Sequence, residues 1–325
     1  MPLLRSCFSL FVLACLLLPG CQKEAADCPE AEEVIWVRSE NNPVLRDLIP
    51  NENYQVASDP HVFYDAAGNL SMIYTGDANG VASIKLARAT TPDQWTPERT
   101  LLSQVGPSGN DIYKETAFYF HAPNGKHQIY YIGYPEEATY EASIYLAEAD
   151  ALEGPYTQLD NPVVARGALA NRQVYLITSP SVVAHDGRLY LCFLGWNAAP
   201  NAVTAVWTIG AVSDDNGHTW KDFQLVETPI GMEGQVTQLA EDDYVAVRTG
   251  DFGTGEAIFY ARAAHPFGPW KENPAPILVP EDPVLEKDEM IAPQITVDPN
   301  SSREFLFYTG ADLQIGWWVM LAEKR

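Results

Sequence analysis

The chain has 325 residues, 46% of them hydrophobic, and its 43 acidic against 20 basic side chains leave a formal net charge of -23. A chain of this length buries a full core without staples, and such an acidic excess repels phosphate backbones, which argues against nucleic acid as a partner. The five cysteines form no CxxC or Cys/His cluster, so a structural zinc site is not expected, and no cofactor is assigned.

Arg5 precedes an apolar run over residues 8–18 that is too short to span a bilayer and reads as a secretory signal. The run ends in Leu18-Pro19-Gly20-Cys21, which resembles the lipobox of bacterial lipoproteins. Residues 1–21 are therefore expected to form the signal, with Cys21 lipidated; an ordinary cleaved signal with an incidental cysteine is the alternative. Gln22 after the cysteine favours the outer membrane, so the expected location is its periplasmic face or its surface. The only membrane contact would be the lipid at Cys21. Residues 22–50 lack periodicity and are expected to form a tether, leaving 51–325 as the folded domain. Cys28 and Cys192 remain in the mature body; they form a disulfide in an oxidising compartment, or Cys192 serves as a small buried hydrophobe inside its strand.

From Asn53 onward, strand patterns follow one another without a long amphipathic helix. Predicted hairpins pair 61–64 with 70–74, 116–120 with 128–132, 181–184 with 189–194, 236–239 with 244–247, and 294–297 with 305–308. Asn, Asp or Gly stands at each turn. Each second strand ends in a bulky residue, a spacer and a glycine: Tyr74-Thr75-Gly76, Tyr131-Ile132-Gly133, Phe193-Leu194-Gly195, Arg248-Thr249-Gly250 and Tyr308-Thr309-Gly310. A third strand follows each glycine, and Trp95, Tyr156, Trp220 and Trp270 close the first four units. Five such units predict an all-β five-bladed propeller, with a β-sandwich as the alternative. Residues before Asp59 are available to supply the outer strand that the last unit lacks. Ser213-Asp214-Asp215-Asn216-Gly217-His218-Thr219-Trp220 matches the Asp-box, a turn motif at a blade edge that speaks for fold and not for chemistry.

In a propeller the starts of the inner strands converge on one axial depression. There stand Ser58-Asp59-Pro60, Lys114-Glu115-Thr116, Ser179-Pro180-Ser181, Glu233-Gly234-Gln235 and Ile291-Ala292-Pro293. With Asp59-Pro60-His61-Val62-Phe63, Ser179-Pro180-Ser181-Val182-Val183, Glu233-Gly234 and His265-Pro266-Phe267-Gly268-Pro269-Trp270, in that order and spacing, the chain resembles the family-43 glycoside hydrolases over nearly the whole mature domain. The resemblance implies an inverting glycosidase with Asp59 as general base and Glu233 as general acid, acting on a carbohydrate of the arabinan, xylan or galactan type. Inversion needs such a pair, one carboxylate to activate water and one protonated carboxyl to protonate the leaving oxygen. A raised pKa keeps the second proton in place at neutral pH.

The chain departs from the family at the third blade, where Ser179 replaces an aspartate that tunes the acid. Either Glu115 or Asp251 substitutes, or hydrolysis is weakened and the propeller binds glycan without cleaving it; a purely structural or protein-binding lipoprotein is a third reading. Glu115 beside Lys114 is a site acid or a surface ion pair. Arg248 fills the aromatic slot of its unit, either pairing with Asp251 or binding an acidic sugar. Trp196 and Tyr134 follow repeat glycines and either stack on a sugar or pack.

Overall fold

The computed structural model describes residues 35–49, 54–136, 139–227, 233–251 and 256–325. The expected signal, the lipidation site Cys21 and the cysteine Cys28 lie outside the described residues. The chain is a five-bladed β-propeller. Blade I holds Gln55–Tyr64, Leu70–Asp77, Ala82–Thr91 and Gln94–Leu102. Blade II holds Tyr113–His121, His127–Tyr134, Ser143–Ala149 and Thr157–Gln158. Blade III runs Leu176–His185, Arg188–Trp196, Val206–Ser213 and Lys221–Leu225. Blade IV runs Glu233–Ala240, Asp243–Asp251, Glu256–Ala263 and Lys271–Glu272. Blade V has Glu289–Val297, Glu304–Asp312 and Gly316–Lys324.

Blade V takes its outer strand from the other end of the chain. Trp36–Arg38 pairs antiparallel with its third strand, Trp36 opposite Lys324 and Arg38 opposite Ala322. Val44 and Leu45 are buried next to it. The folded unit therefore begins ahead of residue 51, and part of the stretch read as a tether belongs to the propeller. That stretch looked irregular because the strand it holds among the described residues spans three residues, too few for a periodic pattern.

The recurring glycine has a steric cause. Tyr74 and Gly76 are two residues apart on a strand and so lie on one face. A Cβ at Gly76 would stand 2.4 Å from Lys85 and 3.2 Å from the Asp47 carboxylate. Asp47 crosses there to accept a hydrogen bond from the Tyr74 hydroxyl at 2.8 Å and an ion pair from Lys85. Blade II repeats this, with Asp111 against Gly133 and bonded to the Tyr131 hydroxyl at 2.8 Å. In blade V the Leu285 carbonyl crosses Gly310, and Glu286 takes the Tyr308 hydroxyl at 2.6 Å. Blade III has Phe193, which has no hydroxyl, and there the apolar Val174 covers Gly195. In each case a segment leading into the inner strand is clamped over the middle strand.

Apolar packing lies between the blades. Ile73 and Ile84 meet Ile129 and Tyr131 between blades I and II; Phe118 and Tyr130 meet Val182 and Leu191 between II and III. Cys192 packs with Val236 and Ala246 between III and IV. It is a buried free thiol, pushed up to about 12 by burial, in keeping with its reading as a small hydrophobe. The Asp-box folds as a capped turn: Asp215 accepts the Thr219 amide at 2.9 Å and Thr219 hydroxyl at 2.7 Å, while Trp220 packs edge-on to Tyr130.

Arg38 ties the closing strand to Glu286, whose side chain is wholly inaccessible, through a bond of 2.8 Å. Arg38→Ala leaves that carboxylate buried without its cation and is expected to cost about 3–5 kcal/mol in denaturant unfolding. Burial pushes the Glu286 carboxyl up, but hydrogen bonds from Arg38, the Glu281 amide and Tyr308 outweigh it and hold the group below its ordinary 4.5. Its stabilisation is thus complete above that value and is lost as pH falls through the lower folded one. Melts between about pH 3 and 6 should show this acid-side loss in the wild type and a weaker one in Arg38→Ala.

Candidate active site

Four of the five inner strands carry the same irregularity near their start. In blade I, Ser58 pairs with Thr75 and His61 with Ile73, leaving Asp59 and Pro60 bulged between them. Equivalent shifts fall between Glu115 and Phe118, Thr178 and Ser181, and Ile291 and Gln294. The residue after the last regular pair is left-handed in each: Asp59, Thr116, Ser179 and Ala292 have φ of 50°, 50°, 53° and 50°. Such backbone costs on the order of 1–2 kcal/mol for a residue with a Cβ and persists only where its surroundings impose it. The bulge frees an amide that reaches the neighbouring blade. The Asp59 N–H donates to Thr309 Oγ1 at 2.9 Å, and the Thr116 N–H to Thr75 Oγ1 at 3.1 Å. The threonine of the Tyr-Thr-Gly unit, facing away from the tyrosine, thereby aligns the next blade.

This register groups the candidates. Asp59 and Ser179 occupy one position in their blades, and Glu115 and Glu233 occupy the position just before it, opposite Ile132 and Thr249. Blade IV has no bulge here, and Gly234 follows Glu233 directly. A Cβ on Gly234 would lie 2.1 Å from the Val247 carbonyl, so only glycine lets the strand pass so close.

Asp59 is 7% exposed and accepts a hydrogen bond from the Ser58 hydroxyl at 3.0 Å. Burial raises its carboxyl, opposed by hydrogen bonds from Thr75, Ser58 and the Thr116 backbone and assisted by the charge of Glu289; the net direction is up. Glu233 is half-buried, and its Oε2 is shut off from solvent with no hydrogen-bond partner among the described residues. Its carboxyl is held well above the ordinary range, by burial first and then by the charges of Asp59, Glu256, Glu289 and Glu115. The two carboxyls differ in kind. Burial raises both, but hydrogen-bond donors temper the rise at Asp59, whereas like charges add to it at Glu233.

Glu115 joins this group and not a surface pair. Consecutive strand residues face opposite ways: Lys114 turns into the blade, fully buried at 3.5 Å from the Asp111 carboxylate, while Glu115 accepts hydrogen bonds from Tyr134 at 2.7 Å and from Tyr140. Tyr134 is 1% exposed, and Trp196 is buried with its indole N–H on Thr178 Oγ1 at 3.1 Å; both belong to one apolar cluster with Leu176 and Leu194. Ser179 is buried. Arg248 stays apart from the acids: its guanidinium lies 4.5 Å from the Phe259 ring centroid and 3.8 Å from Glu272 on the outer strand. The Asp251 side chain lies outside the described residues.

Glu256, Glu289 and Tyr140 were not singled out from sequence. Glu289 lies two residues before Ile291, the register equivalent of Glu233, and hence on the same strand face; the signal was there once register was known. Glu256 starts the third strand of blade IV, and nothing local in the sequence marks it.

Below the acids the axis is bridged by polar side chains. His61 and Gln235 share a hydrogen bond of 3.0 Å, and Gln294 accepts the Val62 amide at 3.1 Å. Burial lowers the His61 imidazole to about 4 despite that bond, so it is neutral at physiological pH. Among the described residues no group of three His, Cys, Asp or Glu side chains is arranged to hold a metal ion. A cavity of about 650 Å³ lined by Phe63, Tyr119, Val183 and Leu239 lies at the far ends of the inner strands, away from the carboxyls.

Comparison with curated protein sequences returns no match. Among solved structures, a thermostable family-43 glycoside hydrolase superposes with a TM-score of 0.63 at 17% identity, over 82% of this chain and 88% of its own. The GH43_1 enzyme from Xanthomonas citri complexed with xylotriose gives 0.62 at 17% identity, over 82% and 87%. An N-acetylgalactosamine deacetylase from F. plautii in complex with blood group B trisaccharide gives 0.66 at 12% identity, over 89% and 95%. These likenesses establish the fold, which alone does not select a reaction. The profile of glycosyl hydrolases family 43 matches residues 42–317, spanning all five blades with Asp59 and Glu233 at their starts. With that match over most of its length, the chain belongs to glycosyl hydrolases family 43.

Proposed function

We propose that this family-43 glycoside hydrolase cleaves its oligo- or polysaccharide with inversion, with Asp59 as general base and Glu233 as general acid. The observation that carries this reading is the difference between two desolvated carboxyls: the Ser58 hydroxyl donates to Asp59, whereas Glu233 has an oxygen with no partner among the described residues and stands among like charges. Asp59 takes a proton from water as its oxygen bonds the anomeric carbon. The glycosidic C–O bond breaks, and Glu233 passes its proton to the departing oxygen. Asp59 ends protonated and Glu233 ionised, and solvent resets both. Tyr134 and Tyr140 anchor Glu115 at the wall of the site, and Trp196 braces that wall from behind. The xylotriose bound by the Xanthomonas citri enzyme makes xylan-type oligosaccharides the first substrates to try.

Ser179 favours a second reading, in which the propeller binds glycan without turnover. Leaving-group dependence separates the two. Glu233→Gln is expected to lose about 10²–10⁴-fold on natural linkages and far less on aryl glycosides whose leaving groups need no proton. Asp59→Asn is expected to lose activity on both kinds of substrate. Absence of wild-type turnover alongside measurable glycan binding would overturn hydrolysis.

The same desolvation has a thermodynamic sign. A carboxyl whose folded value is raised lets the unfolded state ionise first, so stability falls as pH climbs from about 4.5 towards the folded value. Glu233→Gln is therefore expected to melt above the wild type at about pH 8 and to match it near pH 4.

The lipobox resemblance supports export and a lipid at Cys21, on the periplasmic face or surface of the outer membrane. Cys21→Ser should abolish incorporation of labelled palmitate and move the protein out of the membrane fraction. Unchanged labelling would refute the anchor.

A further inference from the structure

We propose that Glu256 and Glu289 together replace the missing third-blade carboxylate, acting as positioning residues that keep Glu233 in its proton-donating form. This rests on Glu233 being the general acid. Ser179 occupies the same bulge position in blade III that Asp59 occupies in blade I, and a hydroxyl there carries no charge to act on Glu233. The needed charge comes from the other side of the ring. Glu256 starts the third strand of blade IV, opposite Asp251 in the ladder. It reaches across the blade boundary, where its Oε2 accepts the Met290 N–H at 3.0 Å. Glu289, the preceding residue of blade V, accepts the Trp317 indole N–H at 2.9 Å, and Trp317 is met edge-on by Tyr54 at 5.7 Å.

These two tethers have a common property. An amide and an indole N–H fix a carboxylate in place without neutralising it, whereas a lysine or arginine would cancel its field. Among the described residues no lysine or arginine forms an ion pair with Glu289. Both carboxylates act on Glu233 through their charge, and Glu289 acts on Asp59 as well. The remaining groups around Glu233 are Asp59 from blade I, whose charge acts on it most strongly, and Glu115 from blade II. The two Glu115 oxygens are taken by Tyr134 and Tyr140, and its charge ranks below those of Glu256 and Glu289 at Glu233. Blade III presents Ser179, and Arg248 of blade IV is turned to Phe259 and Glu272. His61, bonded to Gln235, is neutral above about pH 4.

The test uses Glu256→Gln and Glu289→Gln, since a glutamine still offers a carbonyl to the Met290 and Trp317 donors. Two readings are taken on the mature chain: the pH profile of kcat/KM on an aryl glycoside that needs acid assistance, and the 13C titration of the Glu233 carboxyl. That resonance is assigned by its loss in Glu233→Gln. Each variant is expected to move the alkaline limb and the resonance midpoint about one pH unit towards acid, and the double variant further. Adding Ser179→Asp to the double variant should move both back. A resonance that stays put in the double variant, whatever happens to kcat, overturns the proposal. A resonance that moves while the rate profile does not follow supports the tuning and instead overturns Glu233 as the acid.

Discussion

The architecture depends on a clamp repeated around the ring, in which a loop group crosses the middle strand over a glycine. In blades I, II and V the crossing segment brings in Asp47, Asp111 or Glu286, which binds the tyrosine two residues before that glycine. Buried carboxylates are costly unless satisfied. Each of these has a cation besides the tyrosine, namely Lys85, Lys114 and Arg38. A satisfied buried acid specifies one geometry sharply, because any displacement strands a charge. In these three blades the clamp therefore sets where the inner strand starts, and with it the position of Asp59, Glu115 and Glu289.

From the clamp outward, the same short motif does two jobs on two faces. The tyrosine and glycine face the crossing loop; the threonine between them faces the neighbouring blade and takes up the amide that the bulge leaves outside the ladder. Thr309 does this for Asp59 and Thr75 for Thr116. Blade closure, through Trp36–Arg38 on blade V, joins the two chain ends into the same ring. Asp59 consequently depends on its own blade for register and on blade V for orientation. Loosening the N-terminal strand would be felt at Asp59 as well as in stability.

The site itself runs against the rule that governs the rest of the molecule. Elsewhere buried acids are paired with cations. At the axis, Glu233 has one oxygen sealed from water without a partner among the described residues, and like charges of other carboxylates act on it. A group so placed is held protonated at the expense of folding stability, which is the usual relation between a strained functional site and its scaffold. Family membership fixes the class of reaction. Blade III offers Ser179 and no charge at its bulge, and under the proposal above the carboxylates of blades IV and V supply that charge instead.

Much of this was legible along the chain. The recurring glycine disclosed five blades, in four of them because a loop crosses over it, and Asp59 and Glu233 stood out because each lies near the start of an inner strand and matches the resemblance to the family. Alternation along a strand already separates Lys114 from Glu115, once the strand is recognised. What sequence alone could not give was the set of distances between blades. Arg248 met Glu272 and Phe259 because Phe259 stands opposite it in the ladder, on the strand face that Glu233 does not share. Glu256 and Glu289 are 33 positions apart and meet only across a blade boundary, through the Met290 amide. Local spacing determines what each blade is, since hydrogen bonding and sterics act over a few residues. Which charges share one desolvated volume is decided by ring closure, since electrostatic coupling depends on distance in space and on the water excluded between the groups.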